Sequence, residues 1–147
     1  MTYYPTLGVS QPALMDILNT ISDIVFTIAR DDDGMWRFTM VNQRFLEATG
    51  LKPDAVFGQR VIDVVPRPAH DLVLSKYEEA IATRRPVQWE EVSVYPSGTK
   101  VGHVTVVAMF DAQGMCRTIV GWVHDATECA RRAALVAERQ GEKQREP

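Results

Sequence analysis

Val101-Gly-His-Val-Thr-Val-Val-Ala-Met-Phe110, Asp111-Ala-Gln-Gly114, Arg117-Thr-Ile-Val-Gly-Trp-Val-His124 and Asp125-Ala-Thr-Glu128 follow one another along the chain. The first and third runs are β-branched and aromatic, which suits strands, and the Asp- and Gly-containing stretch between them is a turn signal. At Asp125 the period changes. Apolar residues then recur at helical spacing to about Gln140, ahead of a polar tail from Gly141 to Pro147. This part of the chain reads as an antiparallel hairpin that runs straight into a helix.

Outward from it, Val87–Tyr95 is another strand, joined to the hairpin by Pro96-Ser-Gly-Thr99. Ile24–Ala29, the turn Asp31-Asp-Asp-Gly34 and Trp36–Val41 form an earlier hairpin. The stretch between the two strand groups is helical in period. Asn42 can cap a helix through Phe45, Leu46 and Thr49 that stops at Gly50. Lys52-Pro-Asp54 starts a short turn with Val56 and Phe57 inward, Val61–Val65 is a short apolar piece, and Asp71–Thr83 is the longest middle helix. Near the N-terminus, Ser10 caps an amphipathic helix whose stripe is Leu14, Ile17, Leu18 and Ile21.

The order predicts an α+β fold, a five-stranded antiparallel sheet with the middle helices on one face. Val104 and Val106 oppose Thr105 and Val107, and Ile119 and Val123 oppose Val120 and Trp122. Both faces therefore carry apolar residues, and a second cover is expected from the N-terminal helix or a partner chain. The predicted organisation is a cap helix over 1–21, a core over 22–125, and a C-terminal helix and tail over 126–147.

With 147 residues the chain suits one domain, and 46% hydrophobic against 24% charged residues is an ordinary globular balance. A net charge of −3 without a basic stripe argues against nucleic acid as a partner. Cys116 and Cys129 have no metal-ligand spacing and suit a reducing compartment. No apolar run is long enough for a membrane span, and Met1–Ser10 lacks the pattern of a signal peptide. A cytoplasmic domain that contacts neither membrane nor nucleic acid is the expectation.

The stretch Phe38–Gly50, with its strand running into a helix, and the ending Phe110–Gly114, Ile119–Glu128 with an Asp-x-Thr-Glu motif, resemble the PAS superfamily of bacterial sensor domains. The resemblance covers roughly Ser22 to Glu128. It implies a glove-like fold, a pocket between sheet and helices, and a sensing role. Under that register the pocket is lined by Phe26, Ile28, Met40, Phe45, Leu46, Phe57, Val61, Leu74, Tyr77, Val104, Val106, Ile119 and Val123. Such a lining favours a small apolar or aromatic ligand, or none. Asp125, Thr127 and Glu128 form the junction to the output helix, with Asp125 and Glu128 at capping-box spacing. Leu14, Ile17, Leu18 and Ile21 are assigned to a homodimer contact.

The resemblance also bears on cofactors. The light-sensing flavin class has a reactive Cys in a Gly-Arg-Asn-Cys run and a Gln near the closing Asp. Here Gly58-Gln-Arg-Val61 and Val123 stand at those places, which argues against flavin photochemistry. Haem-binding members carry an axial His on the long middle helix. His70 lies about one turn too early and Val73 occupies the expected place, so His70 reads as a helix-start residue and a haem sensor as a remote alternative. No catalytic triad, phosphate loop or metal motif is present, so an enzyme is not expected, and Glu90 and Glu91 read as solvated. Trp89 and Tyr77 read as core aromatics. Two functions of different kinds remain. One is a sensor that relays through its last helix to a histidine kinase, a cyclic-dinucleotide enzyme or a transcription factor beyond these residues. The other is a ligand-free dimerisation module.

Overall fold

The structure, a computed structural model, describes residues 23–145 together with Tyr3–Tyr4, Val9–Ser10 and Asn19. The stripe Leu14, Ile17, Leu18 and Ile21 lies outside the described residues; within the predicted cap region Tyr3–Tyr4 pairs antiparallel with Val9–Ser10, so Ser10 lies in a short strand and not at a helix cap. The main elements are β1 (Ile24–Arg30), β2 (Trp36–Val41), α1 (Gln43–Thr49), α2 (Val61–Val64), α3 (His70–Thr83), β3 (Val87–Tyr95), β4 (Gly98–Phe110), β5 (Cys116–Asp125) and α4 (Thr127–Arg145). Single 3-10 turns at Pro53–Ala55 and Arg67–Ala69 link the short helices.

The five strands form one antiparallel sheet in the order β2-β1-β5-β4-β3, as the hairpin reading predicts. Two connections use the same turn chemistry. In Asp31–Met35 and Asp111–Met115 the Asp carboxylate accepts from the Met N–H, while the Gly N–H donates to the Asp carbonyl. Gly34 and Gly114 sit at φ 84° and 79°, where a side chain would be strained. The middle helices cover one face. There Phe26, Ile28, Val104, Val106 and Ile119 from the strands meet Phe45, Val56, Val61, Val73, Tyr77 and Ala80 from the cover in a single cluster. On the other face Val25 and Thr105 are buried, while Trp122 is 38% and Met109 52% exposed.

Two pocket assignments fail for local reasons. Met40 lies on the opposite face, because a bulge in β2 pairs Thr27 with Met40 but Ile28 with Phe38. The extra residue, Thr39, shifts the alternation by one, so Val41 and not Met40 faces inward beside Phe26. Phe57 is 41% exposed, and its neighbour Val56 fills the core alone. The turn that follows the 3-10 piece Pro53–Ala55 and reverses at Gly58, φ 73°, aims only one of these two adjacent apolar side chains inward. The last helix also differs from its reading: it starts at Thr127 and continues through Gly141 to Arg145.

Candidate functional site

Three rows of side chains across the inner sheet face define the site. Pairing of β1, β5, β4 and β3 places Phe26, Gly121, Val106 and Val87 in one row. Ile24, Val123, Val104 and Trp89 form the next. The third contains Asp125, Gly102 and Glu91, with Lys100 and Ser93 beyond it. The apolar first row is core, and polarity increases toward the start of α4.

The helical cover leaves two small cavities over the second and third rows. One, of about 60 Å³, is bordered by Phe45, Ala48, Glu91, Ser93, Tyr95 and Asp125 among others. The second, of about 50 Å³, lies deeper, among Phe26, Phe38, Val73, Tyr77, Trp89 and Val104. Phe45, Glu91, Tyr95 and Val123 border both and form the partition. The tip of the β3–β4 hairpin closes one end, where Ser97 N–H donates to Thr49 O at 3.1 Å and its hydroxyl to Ala48 O at 2.5 Å. Gly50 ends α1 at φ 75°, and a Cβ there would meet Ser97 N at 3.1 Å, so this contact needs a glycine.

The walls are aromatic. Phe26, Phe38 and Phe45 stack edge to face in series, with centroids 6.0 and 5.5 Å apart. Trp36, Tyr77 and Trp89 form a second series at 5.9 and 6.5 Å. Burial raises the phenols of Tyr77 and Tyr95, and the nearby Glu91 charge adds to both shifts.

Of the thirteen pocket residues read from sequence, Phe26, Phe45, Tyr77, Val104 and Val123 border the cavities. Ile28, Val106 and Ile119 are fully buried core, and Leu46 packs against that core half-buried. Val61 and Leu74 border a separate crevice of about 260 Å³ between the β1–β2 turn and α3. Trp89, Glu91, Ser93 and Tyr95 were missed. Glu91 is not on a solvated face: β3 directs Val87, Trp89, Glu91, Ser93 and Tyr95 inward, and Val92 and Val94 outward, at 60% and 68% exposure. Once Trp89 is taken as core, period 2 puts Glu91 on the same side.

Glu91 Oε1, Ser93 Oγ and Trp89 Nε1 are buried, and none of the three completes a hydrogen bond. Burial pushes the Glu91 carboxyl above its ordinary 4.5, and the adjacent Trp89 indole N–H partly opposes this. Below about 4.5 the carboxyl is protonated in both folded and unfolded chains. As pH rises past that value the unfolded chain ionises first, so stability falls until Glu91 ionises in the fold. Glu91→Gln is therefore expected to raise Tm at pH 7 by about 2–4 °C, the equivalent of about 1 kcal/mol. At pH 4 the gain should vanish. Thermal unfolding at the two pH values measures the difference, and equal gains at both would show that charge is not the cause.

The junction is built differently from a capping box. Asp125 is still paired with Gly102 in the sheet, so it lies two residues before α4 begins. Its Oδ1 accepts from Thr127 N–H at 3.0 Å and from the Thr127 hydroxyl at 2.5 Å. Thr127 Oγ1 accepts in turn from Val101 N–H at 3.1 Å, and Ala126 N–H donates to Val101 O at 2.8 Å. Glu128 turns to Arg131 at 3.2 Å instead of reaching back. Burial pushes the Asp125 carboxyl up, but the Thr127 hydrogen bonds together with the Lys100 and Arg44 charges outweigh it and the net shift is downward. The stabilisation is thus present above about 3.8 and lost at lower pH. His70 begins α3, and its Nε2 donates to Val65 O at 2.6 Å. Among the described residues no group of three or more His, Cys, Asp or Glu could hold a metal ion.

Comparison with known proteins agrees with this architecture. The sequence model of a family described as PAS fold matches residues 18–131. The chain belongs to the PAS family. Among solved structures, a PAS domain of a protein from Colwellia psychrerythraea superposes with a TM-score of 0.65 at 13% identity, covering 77% of this chain and 93% of that one. A sensory box histidine kinase/response regulator from Burkholderia thailandensis gives 0.62 at 16% identity over 90% and 98% of the two chains. An RNA-binding light-oxygen-voltage receptor gives 0.67 at 16% identity, over 87% of this chain and 36% of that one. At these identities the likeness is one of fold. No curated protein matches the sequence. Sensory proteins are thus among those that share this PAS fold, and no described helix is long and apolar enough to cross a membrane.

Proposed function

We propose that this PAS domain is a sensory module without catalytic activity of its own. A small ligand enters the cavity over β3–β5, and its presence is passed to α4 and on to an output domain. One observation carries the reading: Asp125, whose hydrogen bonds to Thr127 set the start of α4, borders the same cavity as Glu91. A ligand that shifts Gly102 or Val123 acts directly on the residues that hold this junction. α4 leaves the domain with Leu135 and Val136 54% and 52% exposed, an apolar strip suited to a second helix. The proposal includes a cytoplasmic homodimer whose output is a histidine kinase, a cyclic-dinucleotide enzyme or a transcription factor. It includes neither flavin nor haem, since Val61 is core and His70 Nε2 is engaged by a backbone carbonyl.

Native mass spectrometry of freshly purified protein tests the reading. A stoichiometric mass excess that is lost on denaturation supports it. A chain that stays at its bare mass, and whose Tm no compound of a metabolite library raises, would instead indicate an assembly module.

A further inference from the structure

The third row of the inner face poses a problem that protein side chains leave unsolved. Glu91 and Asp125 flank Gly102 on adjacent strands, and Gly102 brings no side chain of its own between the two carboxylates. With strands about 4.8 Å apart, their backbones are about 10 Å from each other. Val123 leans into that space, since a Cβ on Gly102 would come within 2.7 Å of Val123 Cγ1. Asp125 is satisfied by Thr127 and lies 3.9 Å from Arg44. Glu91 is not: its Oε1 is sealed from solvent without a hydrogen bond, and among the described residues no Lys, Arg or His pairs with it. Lys100 borders the same cavity and, with Arg44, acts on Asp125, so Glu91 is the carboxylate left without a cation.

We infer that the cavity selects a small cationic amine, whose nitrogen pairs with Glu91 and whose apolar end lies against Phe45 and Val123. This deepens the ligand-sensing reading above and rests on it. A neutral apolar molecule of the same shape would leave the Glu91 carboxylate unpaired, a cost that discriminates strongly in a closed site. An anion would meet the Glu91 carboxylate, which no cation offsets. Phe45 and Tyr95 present aromatic surface, which also favours a cation. The cavity volumes restrict the ligand to a few non-hydrogen atoms unless the Glu91–Tyr95 partition moves. Raised protonation of Glu91 in the empty site fits the same picture, because a cation would restore the ionised form.

Isobutylamine, isobutanol and isobutyrate, matched in shape and differing in charge, provide the test. Each is titrated at pH 7 into the full ¹⁵N-labelled chain, and the Trp89 indole N–H and Ser93 amide resonances are followed. The Trp122 indole, on the opposite face, is the internal control. Isobutylamine is expected to move the Trp89 and Ser93 signals with a Kd at least tenfold below that of isobutanol, with isobutyrate weakest. In Glu91→Gln, which keeps the side-chain shape, that tenfold preference should disappear. If isobutanol or isobutyrate binds as tightly as the amine, or the preference survives in Glu91→Gln, the amine assignment is wrong while a ligand cavity stands. If none of the three moves Trp89 or Ser93, the amine assignment is wrong, and the small-ligand reading stands or falls on native mass spectrometry alone.

Discussion

Asn42→Ala is expected to lower stability by about 3 kcal/mol, because one side chain closes three backbone groups at the start of the fold. Asn42 is fully buried. Its Oδ1 accepts from Val25 N–H at 3.0 Å and from Phe45 N–H at 3.2 Å, and its Nδ2 donates to Asp23 O at 3.0 Å. The helix cap alone is worth about 1 kcal/mol. The larger part comes from Val25, whose buried N–H has no water to turn to once the amide is gone. For a domain of this size the loss corresponds to a drop in Tm of about 6–12 °C. Asp at this position keeps the acceptor and loses the donor, so Asn42→Asp should be intermediate. Urea unfolding of the two variants measures the order, and equal losses would mean that the acceptor is not what matters.

The second large effect is expected at Gly121. The far edge of the Phe26 ring lies over this glycine in the neighbouring strand, and an added Cβ would come within 2.2 Å of Phe26 Cζ. A glycine in the middle of a central strand is otherwise a weakness, so the ring is what it accommodates. Gly121→Ala must push the ring off Phe38, its edge-to-face neighbour at 6.0 Å. We expect a loss of about 2–3 kcal/mol, at the upper end for overpacking. Phe26→Leu should relieve the clash, so the double variant should be more stable than the sum of single effects implies, by about 1 kcal/mol or more. Strict additivity in denaturant unfolding would place the cause elsewhere.

These two residues show how far the sequence could be read. Asn42 was legible as a cap because Asn followed by a helical period at a strand end has one common meaning. Its second task, closing Val25 seventeen residues away, depends on tertiary pairing that no local pattern records. The sheet and its turns were legible because period 2 and the Asp-x-x-Gly turns agree. Met40 was not, since a single bulged residue reverses every later side chain of the strand and leaves no mark in composition. Phe57 and Val56 compete for one inward position, and size does not decide the matter. Glu91 was misread for a different reason. On β3 the apolar Val92 and Val94 face out while Glu91 and Ser93 face in, so hydrophobicity chooses the wrong side and only the parity of Trp89 corrects it. A place where local preference fails in this way is where a functional site is expected.

In the proposed relay, occupancy of the cavity reaches α4 through Asp125. Dissolved xenon can serve as a neutral occupant of the deeper cavity, whose border is largely aromatic and aliphatic. ¹H–¹⁵N spectra of the full chain under xenon pressure should show shifts at Phe45, Val104 and Val123, and concerted shifts at Ala126, Thr127 and Ala130 in the first turn of α4. In Asp125→Ala the first set should persist and the second should be lost. Shifts confined to the cavity in the unaltered chain, with Ala126 to Ala130 unmoved, would show that Asp125 relays nothing to α4.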